Sequence, residues 1–230
     1  MYLWKTDLII NAQPMSKRIK HLAIIAGILV FPIFMLSGCM KEGIDTIVLP
    51  LPDGKIPYSV IPENLQDSLR LRGLEIHEGL NPDTINGHFV SSPMVLQYAS
   101  DNYQEVFFDL YMAFSGQTRR GMIKYSESQR WEDVDGQSLM ANVIGEGKDV
   151  TMYCFQNVFE CSGNGDTLWR CKTATVVSGT VGEEGIKDCQ YAHVVLDTWA
   201  VNDYYASPLS APGTYRIWYD GDSLATRLLK

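Results

Sequence analysis

The sequence predicts a mainly β protein: an antiparallel up-and-down meander of about eight strands closing into a barrel, led by one short helix. Two observations predict it. Val106, Phe108, Leu110, Met112 and Phe114 alternate with Asp109 and Tyr111, the period of two that sends successive side chains to opposite faces of a strand. Turn chemistry then recurs down the chain, at Gly116-Gln117-Thr118, Asp135-Gly136, Gly145-Glu146-Gly147-Lys148, Gly163-Asn164-Gly165-Asp166, Gly182-Glu183-Glu184-Gly185 and Asp220-Gly221-Asp222. Closure is favoured over an open sheet because it removes exposed strand edges. A two-sheet sandwich is the alternative.

The elements follow in order. Lys17, Arg18 and Lys20 precede an apolar run from Leu22 that ends at Leu36-Ser37-Gly38-Cys39. A cationic stretch, an apolar stretch and small residues before a cysteine make a bacterial lipoprotein signal peptide. The run is shorter than the roughly 20 residues a membrane-spanning helix needs, and Pro32 interrupts it. Residues 1–38 are therefore expected to be removed, with Cys39 acylated and the chain held to a membrane by its lipid. Tyr2-Leu3-Trp4 and Leu8-Ile9-Ile10 are misplaced ahead of the basic stretch, so Met15 is the better start.

Residues 39–59 carry Pro50, Pro52, Gly54 and Pro57 and read as an extended tether. A single domain is expected over residues 60–230. Pro62 and Glu63 suit the first turn of a helix over residues 61–73, with Leu65 and Leu69 on its packing side and Gly73 to stop it. Strands are predicted over 87–98, 106–114, 121–125, 138–144, 150–159, 167–177, 191–199 and 214–219. Asp109, Lys124, Arg170, Lys172, Asp197 and Arg216 interrupt their candidate outer faces, which argues against a membrane-spanning barrel.

Removal of residues 1–38 leaves a chain with a net charge of about −11, a poor partner for nucleic acid. It would also be repelled by anionic headgroups, so the lipid must supply the membrane attachment. Four cysteines remain besides Cys39, and an oxidising compartment favours pairing. Cys161 and Cys171 flank a turn and are candidates to face each other across a hairpin, leaving Cys154 with Cys189. Free buried thiols are the other reading. A metal site finds no support: there is no Cys-x-x-Cys pair, and no histidine has a second at ligand spacing.

Reactive constellations are equally sparse. Ser91, Ser92 and Ser178 lack the Gly-x-Ser-x-Gly setting of a nucleophile elbow, and the scattered carboxylates offer no distinctive pair. Asp220-Gly221-Asp222-Ser223 lacks the further oxygen ligands of a calcium loop and reads as a turn in which Gly221 takes positive φ. His77, His88 and His193 read as ordinary exposed or hydrogen-bonded imidazoles. The aromatics are the better candidates for ligand contact: Trp131, Trp169, Trp199 and Trp218, with many tyrosines, suit stacking on sugar rings or on an apolar ligand. Strand packing accounts for them as well.

Ile85-Asn86-Gly87-His88-Phe89, Ser92-Pro93, Ala141-Asn142-Val143-Ile144-Gly145, Ser178-Gly179-Thr180, Gly185-Ile186-Lys187 and the ending Arg216 to Ala225 resemble uncharacterised lipoproteins of Bacteroidota. The resemblance implies a lipocalin-like small β-barrel and an envelope location. It implies no catalytic residue and no cofactor. True lipocalins carry Gly-x-Trp in the first strand, where this chain has Gly87-His88-Phe89.

The expectation is a non-enzymatic lipoprotein of the outer membrane that binds a small apolar or glycan ligand, or an envelope protein partner. A glycan-directed hydrolase using a carboxylate pair and a structural subunit of a surface assembly are the alternatives. With Met40 after Cys39, the usual aspartate cue for inner-membrane retention is missing.

Overall fold

A computed structural model describes residues 41–46, 49–103, 107–134, 139–207 and 209–229. The signal segment and Cys39 lie outside the described residues. The elements are β1 (Lys41–Thr46), α1 (Glu63–Leu71), β2 (Leu80–Pro82), β3 (Gly87–Ala99), β4 (Phe107–Ser115), β5 (Met122–Ser128), β6 (Leu139–Gly147), β7 (Asp149–Cys161), β8 (Thr167–Val181), β9 (Gly185–Ala200), α2 (Asp203–Ala206), β10 (Tyr215–Asp220) and β11 (Leu224–Leu228).

Strands β3 to β10 form a closed ring of eight. Each pairs antiparallel with the next, and β10 returns to β3. All eight predicted strands are present, in the predicted meander. Phe108, Leu110, Met112 and Phe114 do share one buried face, and it is the inner one.

The expected turn at Asp220-Gly221-Asp222 does not reverse the chain. β10 and β11 both run antiparallel to β3 and to β9, so they lie in series and fill a single seam. The interruption is a local loop. Gly221 donates its N–H to the Pro93 carbonyl at 2.8 Å, opposite the irregularity in β3 between Ser91 and Met94. Positive φ falls on Ser223, at 65°, instead of on Gly221.

The stretch expected to be an extended tether contributes a strand and a core residue, Ile56, to the fold. β6 pairs β7 only as far as Tyr153, which leaves the edge of β7 open beyond it. β1 fills that edge, pairing Thr46 with Gln156 and Lys41 with Cys161. An unpaired edge is a template for association, and covering it satisfies both partners' backbone groups. β1, β7, β8 and β9 thereby continue as a four-stranded extension past the rim at which β10 begins, opposite Val194.

Two cores result. Inside the ring, Phe89, Met94, Leu110, Met112, Phe114, Ile123, Leu139, Val143, Met152, Val177 and Trp218 pack together. Outside it, Ile56, Val60, Ile61, Leu69 and Leu74 cover Tyr153, Phe155, Ala174, Val176, Ala192, Val194 and Ile217. Helix α1 is therefore a lid on the outer face of β7–β10. Gln66, buried with it, donates from Nε2 to the Ile56 and Ile61 carbonyls at 2.9 and 2.7 Å. This double burial explains why β7, β8 and β9 carry almost unbroken buried runs in place of alternation.

At the far end, β2 lies parallel to β6, and Gly79 and Gly145 meet with a hydrogen bond of 3.1 Å. Gly145 has φ +139°, and a Cβ there would run into the Asp149 carbonyl across the hairpin. Only glycine fits that approach.

The cysteine pairings are not realised. The β7–β8 register sets Thr167 opposite Cys161 and Val158 opposite Cys171, so the two cysteines do not face each other. Cys154 and Cys189 belong to β7 and β9, with β8 between them. No disulfide joins any two of the four, and Cys154, Cys171 and Cys189 are buried parts of the inner core.

Candidate functional site

The inner face of the ring is not uniformly apolar. Register sets Gln156 opposite Thr173, Thr175 opposite His193, His193 opposite Arg216, and Tyr191 opposite Trp218. Alternation sends these side chains inward, because Ala174, Val176, Ala192, Val194 and Ile217 between them face the outer core. A contiguous polar patch therefore lies across β7, β8, β9 and β10, at the end of the ring from which the four-stranded extension projects. None of its seven side chains is more than 6% exposed.

Charge in this patch is compensated locally. Arg216 donates to Asp101 twice, Nη2 to Oδ2 at 2.6 Å and Nε to Oδ1 at 3.2 Å, and to Ser210 Oγ at 3.3 Å. Its guanidinium lies 4.0 Å from the centre of the Tyr103 ring. Burial, helped by the neighbouring Arg216 charge and opposed by Asp101, holds the His193 pKa down to about 3. The imidazole is neutral at any physiological pH.

Beside it, the Tyr125 hydroxyl donates to Glu127 Oε2 at 2.6 Å and the Tyr191 hydroxyl to Oε1 at 3.2 Å. Burial, with the Glu127 charge, raises both phenols well above their usual range. Burial likewise pushes the Cys171 thiol up to about 12 and the Cys189 thiol higher still. Phenols and thiols here are protonated donors, unsuited to act as nucleophiles.

Four buried polar atoms of the patch have no hydrogen-bond partner among the described residues: Gln156 Oε1, Thr173 Oγ1, Thr175 Oγ1 and Trp218 Nε1. Thr175 Oγ1 lies beside the Tyr191 phenol and acts to lower its pKa against the effect of burial. Leaving such atoms unpaired costs about 1–3 kcal/mol each, so a cluster of them marks an unmet demand for polar contact. It comprises one N–H donor, one carbonyl acceptor and two hydroxyls that serve either way.

Compared with known protein families, curated proteins and solved structures, this chain matches none.

The four predicted tryptophans divide between two surfaces. Trp218 stands at the centre of the inner face, its ring 5.6 Å from those of Tyr191 and Phe108 and 5.9 Å from Tyr103. Trp169 also faces inward, farther along the extension, and donates from Nε1 to Glu160 at 2.6 Å. Trp131 lies on the outer face, 5.4 Å from the His88 ring and 6.1 Å from Tyr111. Trp199 is 44% exposed and carries Arg170 at 5.9 Å. They form no single aromatic clasp.

Arg216 was expected to break an outer face, yet it lies inside, 2% exposed. His193, read as unremarkable, is at the centre of the patch. The signal was present in the spacing: Arg216 shares strand parity with Trp218, and His193 with Tyr191.

Proposed function

We propose that this protein is an outer-membrane lipoprotein, anchored through acylated Cys39, that binds a small polar ligand inside the ring without transforming it. The observation that carries this reading is the cluster of unpartnered atoms on Gln156, Thr173, Thr175 and Trp218. Mixed donors and acceptors beside the flat faces of Trp218 and Tyr191 suit an uncharged hydroxylated molecule such as a glycan. An apolar ligand would leave the same atoms unsatisfied. An ionic one would meet an arginine already neutralised by Asp101.

Native mass spectrometry on the detergent-extracted full protein, followed by calorimetric titration with mono- and disaccharides, tests the proposal. A stoichiometric polar adduct that is lost in Thr173→Val and Gln156→Leu variants is expected. An empty protein that binds no sugar, and whose variants differ only in stability, would return the patch to the status of an imperfect core.

A further inference from the structure

We infer that the tip of the four-stranded extension lies in the headgroup region of the membrane, with Trp199, Val201 and Tyr204 inserted. The inference rests on the proposed acylation of Cys39 and deepens it.

Chain geometry carries the first part. Cys39 precedes the start of β1 by two residues, a span of at most about 7 Å. β1 begins at the extreme of the extension, where Lys41 pairs with Cys161 beside the Ser162–Asp166 turn. A lipid on Cys39 thus has no spacer to lift the fold away from the bilayer. It holds this one end of the molecule against the headgroups.

The second part comes from what shares that end. Across the sheet, Cys161 pairs with Thr167, and Val201 donates its N–H to the Leu168 carbonyl at 2.9 Å. Lys41 and Val201 therefore lie on one rim, three strand spacings or about 14 Å apart. On that rim Trp199 is 44%, Val201 53% and Tyr204 80% exposed, and Tyr204 and Tyr205 pack edge to face at 5.0 Å. Tryptophan and tyrosine partition to the interface, where an apolar ring and a polar tip are both accommodated.

The occupant is a zwitterionic lipid surface. Arg170, beside Trp199, can meet phosphate, but Asp166, Asp197 and Asp203 stand near the same rim and the chain is acidic overall. Anionic lipid would add no attraction.

The test uses the full acylated protein in vesicles of phosphatidylethanolamine and phosphatidylcholine, with and without bromine-labelled acyl chains. The Trp199 contribution is taken as the difference between wild type and Trp199→Phe. That component should lose most of its emission to the bromines, while emission from Trp131 on the ring's outer face does not. Adding phosphatidylglycerol should leave the quenching unchanged. Inserting a long Gly-Ser spacer after Met40 should relieve it.

Intact mass reports acylation separately. An unacylated chain at Cys39 overturns the anchoring itself. An acylated chain whose Trp199 emission ignores the bromines overturns the insertion and leaves the anchoring standing. Quenching that survives the spacer unchanged overturns the claim that the short anchor dictates the orientation.

Discussion

Arg216 and Asp101 are joined by two hydrogen bonds, at 2.6 and 3.2 Å, with the guanidinium 2% and the carboxylate 17% exposed. Arg216 comes from the inner face of β10, and Asp101 from the loop after β3, the strand on which β10 closes the ring. Their bond ties a rim loop to the closing seam. It also lets a cation sit among Trp218, His193 and Tyr103 without an uncompensated charge.

Removing one partner should therefore be far worse than removing both. Asp101→Ala is expected to destabilise the protein by about 3–5 kcal/mol, the usual result of stranding a buried charge. Asp101→Ala with Arg216→Met should recover much of that loss. Urea denaturation of the four proteins of the cycle measures it, and equal losses in single and double variants would contradict the account.

The unpartnered atoms predict an opposite sign. Thr173→Val and Gln156→Leu each remove a buried polar atom with no partner, so ligand-free protein should gain about 1–3 kcal/mol. Thermal melts of ligand-free protein would read the gain directly. A loss in both variants would mean that these groups are satisfied in solution by tightly held water.

Acid response follows from His193. Its folded pKa is held down to about 3 against an ordinary 6.5, so only the unfolded chain takes up this proton between those values. Stability should fall as pH drops from about 6.5 towards 3. His193→Gln should flatten that slope.

Asp220 acts in the other direction. Burial raises its folded pKa to about 6, so the folded state binds the extra proton and stability declines as pH rises from about 4 to 6. Asp220→Asn should leave stability at pH 4 nearly unchanged and raise it at pH 7. Denaturation midpoints across pH 3 to 8 would separate the two residues.

Gly145→Ala should destabilise by more than the ~1 kcal/mol of an ordinary glycine replacement. The new Cβ meets the Asp149 carbonyl, and φ of +139° is itself strained for alanine. Gly147→Ala, with φ +56° and open space around it, provides the control and should lose less. Equal midpoints for the two variants would show that the hairpin yields.

The ring strands were legible in the sequence because their signals are local: alternation within β4, and Gly-Asn-Gly or Gly-Glu-Gly turns between long strands. The helix was legible from Pro62, Glu63, Leu65 and Leu69 for the same reason, and it runs Glu63–Leu71. β1, β2 and β11 were not, since each is short and exists only because a longer neighbour leaves an edge to fill. The patch was obscured by the double burial of β8 and β9. Where both faces are covered, alternation vanishes, and Thr173, Thr175 and His193 no longer stand out as facing any particular way. Cysteine spacing misled because the hairpin turns about Asn164, whereas pairing Cys161 with Cys171 needs a turn centred on Asp166.

The seam at β10 has a kinetic corollary. Tyr215 and Ser100, bonded across it, are 115 residues apart, and β11 finishes the same seam. No N-terminal fragment that stops short of β10 possesses both sides of the circle. Synthesis, and any export, must pass β10 before closure begins, and until then β3 waits with an open flank that a chaperone would have reason to shield.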